Sequence, residues 1–104
     1  MRFVVVTTPD VELDLDRLTD AMLERAQTQG DFERTLLALQ TLRASVEGLA
    51  ESAMRCRKSG DGSDPFLREL VVPFGRAGYL ALFQIVGDRV VVAAIRHQLE
   101  DDVH

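Results

Sequence analysis

Four basic side chains and one phenol in the second half of this sequence have the chemistry to form a functional site. Arg68 and Arg76 flank a glycine-containing stretch, Tyr79 follows it, and Arg96 and His97 are neighbours near the end of the chain. Guanidinium groups bind carboxylate or phosphate oxygens through paired hydrogen bonds, and an imidazole exchanges a proton near neutral pH. We therefore predict that these residues bind the target of the protein.

A catalytic role is predicted for none of these residues. Successive side chains of a strand point to opposite faces, so Arg96 and His97 are not expected to serve one site. The simplest interpretation of His97 is a strand-end residue that is hydrogen-bonded to the backbone. The simplest interpretation of Arg68 is a solvated charge at a sheet edge. The prediction is therefore a binding site without proton transfer.

The distribution of charge argues against direct binding of nucleic acid. The chain has 104 residues and a net charge of −5. Residues 1–54 account for all of this charge, with ten acids and five arginines, whereas residues 55–99 have seven basic and four acidic side chains. An acidic surface repels phosphate backbones. Only the second half, short of its acidic end, has a positive balance.

Several other classes of protein are disfavoured by the composition. A single cysteine, Cys56, cannot form an internal disulfide, which is typical of a reducing compartment. No apolar run approaches the ~20 residues of a membrane span, and residues 1–7 lack the apolar region of a signal peptide. Asp61, Ser63 and Asp64 lack the spacing and the closing Glu of a calcium loop. We expect a cytoplasmic protein without a metal or cofactor and without membrane contact.

The hydrophobic patterns predict one α+β domain over residues 1–104. Four strands are predicted at residues 2–7, 66–72, 79–86 and 89–96. Helical periodicity predicts helices at 10–28 and 31–57, joined by a short connection around Gly30. A helical hairpin packed on one face of a small, mainly antiparallel sheet, in the order β-α-α-β-β-β, satisfies these patterns. The strand at 79–86 is expected to be central.

Turn and cap residues set the predicted boundaries. Thr8 provides a hydroxyl cap for the first helix, Gly30 ends that helix, and Asp31 caps the second. The segment 58–65 is the predicted loop, and Gly87-Asp88 has the chemistry of a two-residue primed turn.

Two apolar stripes define the predicted inner faces of the helices. The first stripe is Val11, Leu15, Leu18, Met22 and Ala26. The second is Phe32, Leu36, Leu39, Val46, Leu49 and Ala53, supplemented by Leu42 and Ala50. Leu13, Leu23 and Leu37 lie off both stripes and are expected to add apolar surface.

Three segments together resemble the RelE/ParE toxin family of type II toxin–antitoxin systems. Residues 68–79 (RELVVPFGRAGY) are similar to its Arg-led strand, Gly-containing turn and Tyr that opens the next strand. Residues 87–100 (GDRVVVAAIRHQLE) are similar to the ending of the ParE branch. Thr8-Pro9-Asp10-Val11, with the later Asp14-Leu15, is similar to the family's opening. The resemblance covers most of the chain and implies the same β-α-α-β-β-β order.

The resemblance implies a toxin that a cognate antitoxin neutralises, in a hetero-oligomeric complex. RelE-like members cleave mRNA in the ribosome, and their relatives have an Arg after the third-strand Tyr and a late Tyr. Here Leu80 and Val103 hold those positions. ParE-like members bind DNA gyrase and need no catalytic residue, so gyrase inhibition is the favoured prediction. The alternatives are a ribonuclease and a degenerate toxin that acts only as a binding module.

Overall fold

A five-stranded sheet forms one layer of the protein, for which the computed structural model describes residues 2–59, 66–75 and 77–98. The strands are β1 (Val4–Thr7), β2 (Arg57–Lys58), β3 (Arg68–Phe74), β4 (Ala77–Val86) and β5 (Arg89–His97). Their order across the sheet is β1-β5-β4-β3-β2, with β1 parallel to β5 and the other pairs antiparallel. The α+β class, the mainly antiparallel sheet and the central position of β4 are confirmed.

Two helices, α1 (Pro9–Arg25) and α2 (Gln29–Glu47), cover one face of this sheet. The residues of β4 that pack with the helices alternate along the strand, namely Tyr79, Ala81 and Phe83. Phe83 is fully buried in the middle of this core. No described helix is both long enough and apolar enough to cross a membrane.

The second helix ends earlier than predicted and the chain then adds a strand. Gly48 follows α2, and a short helix α3 (Leu49–Ser52) and a 3-10 turn (Ala53–Arg55) lead into β2. In β2, the Arg57 guanidinium forms an ion pair with the Glu69 carboxylate of β3. The Arg68 guanidinium of β3 donates to the Cys56 carbonyl at 2.8 Å. The predicted single helix over 31–57 and the count of four strands were therefore wrong, because these contacts draw the segment into the sheet.

The two helix starts also differ from the prediction. The Thr8 hydroxyl donates to the Ala93 carbonyl at 3.4 Å and makes no cap hydrogen bond. The residue that caps α2 is Thr28 and not Asp31. The Thr28 hydroxyl accepts the Asp31 N–H at 3.1 Å, and the Asp31 carboxylate accepts the Thr28 N–H at 3.2 Å. This reciprocal pair is a capping box. Gly30 consequently lies inside α2 and does not end α1.

The inner face of α2 is not the predicted stripe at its first turns. Its buried residues are Thr35, Ala38, Leu42 and Val46, whereas Phe32 is 43% exposed and Leu36 is 62% exposed. Thr35 tolerates burial because its hydroxyl donates to the Asp31 carbonyl at 3.0 Å. The periodicity predicted a helix in this region but selected the wrong residues as the inner face of its first two turns.

Both hairpin turns of the sheet place a glycine at positive φ. Gly75 and Gly87 each have φ of 62°, a conformation that glycine adopts without strain. The two-residue turn at Gly87-Asp88 is confirmed. Strand β3 extends through Pro73, beyond its predicted end at 72, because β2 pairs only with Arg68 and Glu69 and leaves the later edge of β3 unpaired. Most of the predicted 58–65 loop lies outside the described residues.

Candidate binding cleft

An open cleft of about 1170 Å³ lies where α1, the first turns of α2, the end of β3 and the second half of β5 meet. The α1 wall includes Asp14, Met22 and Arg25, and Arg34 of α2 stands opposite the end of β5. We call this feature the cleft. A smaller pocket of about 230 Å³ lies between β1 and the helices.

One side of the cleft is formed by β5 beyond its pairing with β1. Strand β1 pairs with Arg89–Val92 only, because the chain turns at Thr8 into α1. Past Val92, one backbone donor on this edge has a side-chain partner: the Ile95 N–H donates to the Asp14 carboxylate at 2.9 Å. A side chain of α1 therefore supplies the hydrogen-bond acceptor that a neighbouring strand would otherwise supply to β5.

The floor of the cleft is aromatic. The Tyr79 ring is 4% exposed and lies with its centre 6.4 Å from that of Phe74 and 5.4 Å from that of His97, which it meets edge to face. The Tyr79 hydroxyl donates to the Met22 sulfur at 3.4 Å. The Arg34 guanidinium lies 5.2 Å from the centre of the Phe74 ring, within cation–π range. Aromatic packing thus holds His97 and Arg34 in position.

Burial raises the pKa of Tyr79 above its ordinary value of 10.0, and nearby Arg25 and Arg34 oppose this change only in part. The phenol is consequently protonated at neutral pH. A protonated phenol that donates to a thioether is poorly placed to accept a proton from a substrate.

The charges of the cleft are mixed: the backbone N–H groups of Gln27 and Thr28 lower the pKa of the Asp31 carboxyl, and the Arg34 guanidinium contributes to lowering it. Its lining contains four arginines and three aspartates: Arg17, Arg25, Arg34, Arg96, Asp10, Asp14 and Asp31. The first three of these arginines make no ion pair with any residue that the structure describes. Asp14 and Asp31 accept backbone N–H groups instead. The cleft therefore has guanidinium groups available to an acidic partner.

Three of the five predicted binding residues line the cleft. Tyr79, Arg96 and His97 come together there. Arg96 and His97 lie on opposite faces of their strand, as strand alternation predicts, and both nevertheless border the cleft. Arg68 does not line the cleft. Its guanidinium donates a hydrogen bond to the Cys56 carbonyl, whereas the sequence predicted a solvated charge at a sheet edge. Arg76 lies outside the described residues.

The helix arginines of the cleft were missed by sequence reasoning. Arg17 and Arg25 are separated by eight residues on α1, slightly more than two helical turns, so they lie near one face. That spacing was the available signal. The signal is weak because residues 1–54 are acidic as a whole, with ten acids and five arginines.

Two further side chains bear on the chemistry. Leu80 of β4 pairs in register with Arg96 of β5 and is buried, so its aliphatic side chain adds no charge to this region. Burial raises the pKa of the Cys56 thiol, which makes its thiolate scarce at neutral pH. Among the described residues, no cluster of three or more His, Cys, Asp or Glu side chains is arranged to hold a metal ion.

The helices also expose apolar side chains. Leu13, Leu23 and Leu37, which lie off the predicted stripes, are all exposed, and so are Phe32 and Leu36. Isolated exposed leucines are ordinary in soluble domains. Leu13 is itself part of the cleft lining.

The comparisons with known proteins agree with this architecture. The family model described as ParE toxin of type II toxin-antitoxin system, parDE, matches residues 5–102. Toxin RelE3 of Caulobacter vibrioides is 33% identical over 92 residues, covering 88% of this chain and 90% of the relative. Toxin RelE1 of the same organism is 30% identical over 100 residues, covering 96% and 98%.

A solved structure shares the fold. A chain described as the chromosomal ParDE TA system from P. aeruginosa superposes with a TM-score of 0.70 at 22% identity, covering 92% of this chain and 96% of that chain. With the family model matching nearly the whole sequence, the chain belongs to the ParE toxin family of type II toxin–antitoxin systems. The resemblance identified from residues 68–79 and 87–100 is confirmed.

Proposed function

We propose that this toxin inhibits DNA gyrase by binding it directly and that a cognate antitoxin neutralises it in the cytoplasm. The observation that carries the proposal is the chemistry around Arg96. Its register partner is the buried Leu80, at the position where ribonuclease relatives have an Arg. Cleavage of RNA would require several cations around one phosphate and a group that moves protons. Direct binding requires neither.

The proposed gyrase-binding residues lie within residues 68–79 and at the end of β5. Arg96 and His97 border the cleft, and Arg76 follows Gly75 in the sequence. Tyr79 is buried, so its proposed contribution is to hold His97 through their edge-to-face contact. Arg68 donates to the Cys56 carbonyl. Its proposed contribution is therefore indirect: it holds β2 in place against β3.

The antitoxin is proposed to cover the cleft and the adjoining helices. The family supports the existence of such a partner. Leu13, Leu23 and Leu37 supply exposed apolar area on the helices, and Leu13 lines the cleft together with its arginines, a combination that suits a peptide wrapped over the surface. We propose a hetero-oligomeric complex in which the antitoxin prevents access to Arg96 and His97.

A second candidate function is ribosome-dependent cleavage of mRNA. It is favoured by the placement of His97 and Tyr79 in one cleft with Arg25 and Arg34, because a histidine beside arginines is a common arrangement for phosphate chemistry. Against it, the Tyr79 phenol is buried and donates to Met22. The curated relatives with RelE names are similar to this chain in sequence, and a name does not establish a target.

The proposal is tested by the affinity of purified gyrase for the toxin and its variants. A desolvated interface Arg contributes a few kcal/mol, so Arg96→Ala is expected to weaken gyrase binding by about tenfold or more. Arg89→Ala is the matched control, since Arg89 is an exposed arginine at the other end of the same strand. Equal affinities for both variants and the wild type would exclude the end of β5 as the gyrase surface.

A further inference from the structure

Helix α1 and the residue before it hold the second half of β5 on the side away from β4. Strand β1 pairs with β5 only as far as Val92. The Thr8 N–H donates to the Val92 carbonyl at 3.1 Å, and the Thr8 hydroxyl donates to the Ala93 carbonyl at 3.4 Å. The Ile95 N–H donates to the Asp14 carboxylate at 2.9 Å. These contacts continue the support that β1 gives to the first half of β5.

The contact of Asp14 is made with a donor that lies close to the core. The Ile95 side chain is 4% exposed and packs in the hydrophobic core together with residues of α1. Asp14 is itself half-buried. A backbone donor in such surroundings costs free energy when it has no acceptor. Loss of the Asp14 carboxylate would therefore favour a movement of β5 that brings the Ile95 N–H to water.

The two residues that follow Ile95 are Arg96 and His97, which border the cleft. At ~3.3 Å per residue along a strand, both lie within about 7 Å of the Ile95 amide. Tyr79 pairs with His97 across β4 and β5, with 5.4 Å between the centres of their rings. A movement of β5 at Ile95 would consequently change where the Arg96 and His97 side chains lie in the cleft.

We propose that Asp14 is a positioning residue for target binding: by accepting the Ile95 N–H, it fixes the end of β5 and thereby the position of Arg96 and His97. The proposal rests on the proposed function, because it requires that Arg96 and His97 contact the target. Asp14 is assigned no contact of its own with the target. Its effect passes through the backbone of β5.

The position of the end of β5 can be measured in the toxin alone by nuclear magnetic resonance. The Tyr79 and His97 rings meet edge to face, so the resonances of each ring depend on where the other lies. Asp14→Ala is expected to shift the resonances of both rings and to accelerate hydrogen exchange of the Ile95 amide by about tenfold or more. Asp14→Asn keeps an acceptor oxygen at the same place and is expected to retain the wild-type resonances.

Growth arrest on induced expression measures toxicity whatever the cellular target is. Asp14→Ala is expected to raise the level of soluble toxin needed for arrest by about tenfold or more, because a desolvated interface Arg and its neighbour are displaced. Asp14→Asn is expected to restore the wild-type level.

Two control variants separate positioning from effects of charge and of stability. Asp16→Ala removes the same charge from an exposed position on α1. Thr28→Ala removes the capping hydrogen bond of α2 and lowers stability without touching β5. Both are expected to keep the wild-type ring resonances and the wild-type toxicity.

Several results would overturn the positioning role. One is an Asp14→Ala variant with a lower melting temperature but unchanged ring resonances or unchanged toxicity. Others are an equal loss of toxicity in Asp16→Ala or Thr28→Ala, and an Asp14→Asn variant as defective as Asp14→Ala.

Asp14→Glu keeps the test decisive if Asp14→Ala does not fold. It retains the charge and the acceptor but lengthens the side chain by one methylene, so the ring resonances and the toxicity are expected to change while the melting temperature is retained. Unchanged resonances and toxicity in Asp14→Glu would also overturn the proposal. The affinity of the wild type for gyrase is measured separately. Growth arrest that depends on Asp14, in a toxin that does not bind gyrase, would refute the gyrase proposal and support the positioning role.

Discussion

Two substitutions at Tyr79 can separate the contribution of its ring to the stability of the fold from that of its hydroxyl, which is expected to be small. The ring is 4% exposed and packs between Phe74 and His97. A buried aromatic side chain removes about 150–250 Å² from water. At about 25 cal/mol per Å² this burial is worth about 4–6 kcal/mol, close to the ~3–5 kcal/mol usual for replacing a buried aromatic residue with alanine. Tyr79→Ala is therefore expected to lower the free energy of unfolding by about 3–5 kcal/mol.

Tyr79→Phe is the matched variant because it keeps the ring and removes only the hydroxyl. The lost hydrogen bond ends on the Met22 sulfur, a weak acceptor, so the expected loss is about 1 kcal/mol or less. Urea unfolding followed by circular dichroism measures both variants. Gyrase binding by Tyr79→Phe should match the wild type. A Phe variant as unstable as the Ala variant, or one that is stable but no longer binds, would refute the assignment of Tyr79 as a positioning ring.

Three further predictions concern titration, capping and the orientation of α2. Tyr79 is the only tyrosine, so the absorbance of tyrosinate should give a pKa above 10.0 for the folded protein. The free energy of unfolding should then fall as the pH rises from the pKa of the unfolded state through the pKa of the folded state. A titration midpoint of the folded protein at or below the midpoint measured in urea would contradict this. Thr28→Ala should cost about 1 kcal/mol in urea unfolding through loss of the α2 cap, and an unchanged midpoint would contradict the capping box. Leu42→Ala should cost about 2–5 kcal/mol and Leu36→Ala about 0.5 kcal/mol or less; the reverse order would restore the predicted stripe as the inner face.

The strand pattern was readable from the sequence because it depends on local chemistry. The apolar run at 79–86 and the turn residues Gly87 and Asp88 define a hairpin with few alternatives. The face of α2 was not readable, since Phe32 and Leu36 fit a helical stripe as well as Thr35 and Ala38 do. The choice depends on how α2 rests on the sheet and on a local hydrogen bond that satisfies Thr35.

The cleft was only partly predictable for a related reason. Arg96 and His97 were found because the end of the chain is similar to a known family. Arg17 and Arg25 were missed because they come to line the cleft only through the packing of α1 against the second half of β5. The contact between Asp14 and the Ile95 N–H joins residues 81 positions apart. Single-sequence periodicity contains no information about such a separation.

The most direct test of the central claim is to give the same purified toxin to two reactions in parallel. One is DNA supercoiling by gyrase, and the other is translation of a reporter mRNA by ribosomes, read out for cleavage. Direct gyrase inhibition predicts that supercoiling stops while the mRNA stays intact, and that prior mixing with the antitoxin restores supercoiling. Cleavage of the translated mRNA with supercoiling unaffected, and loss of that cleavage in His97→Ala, would contradict the account and establish the ribonuclease alternative.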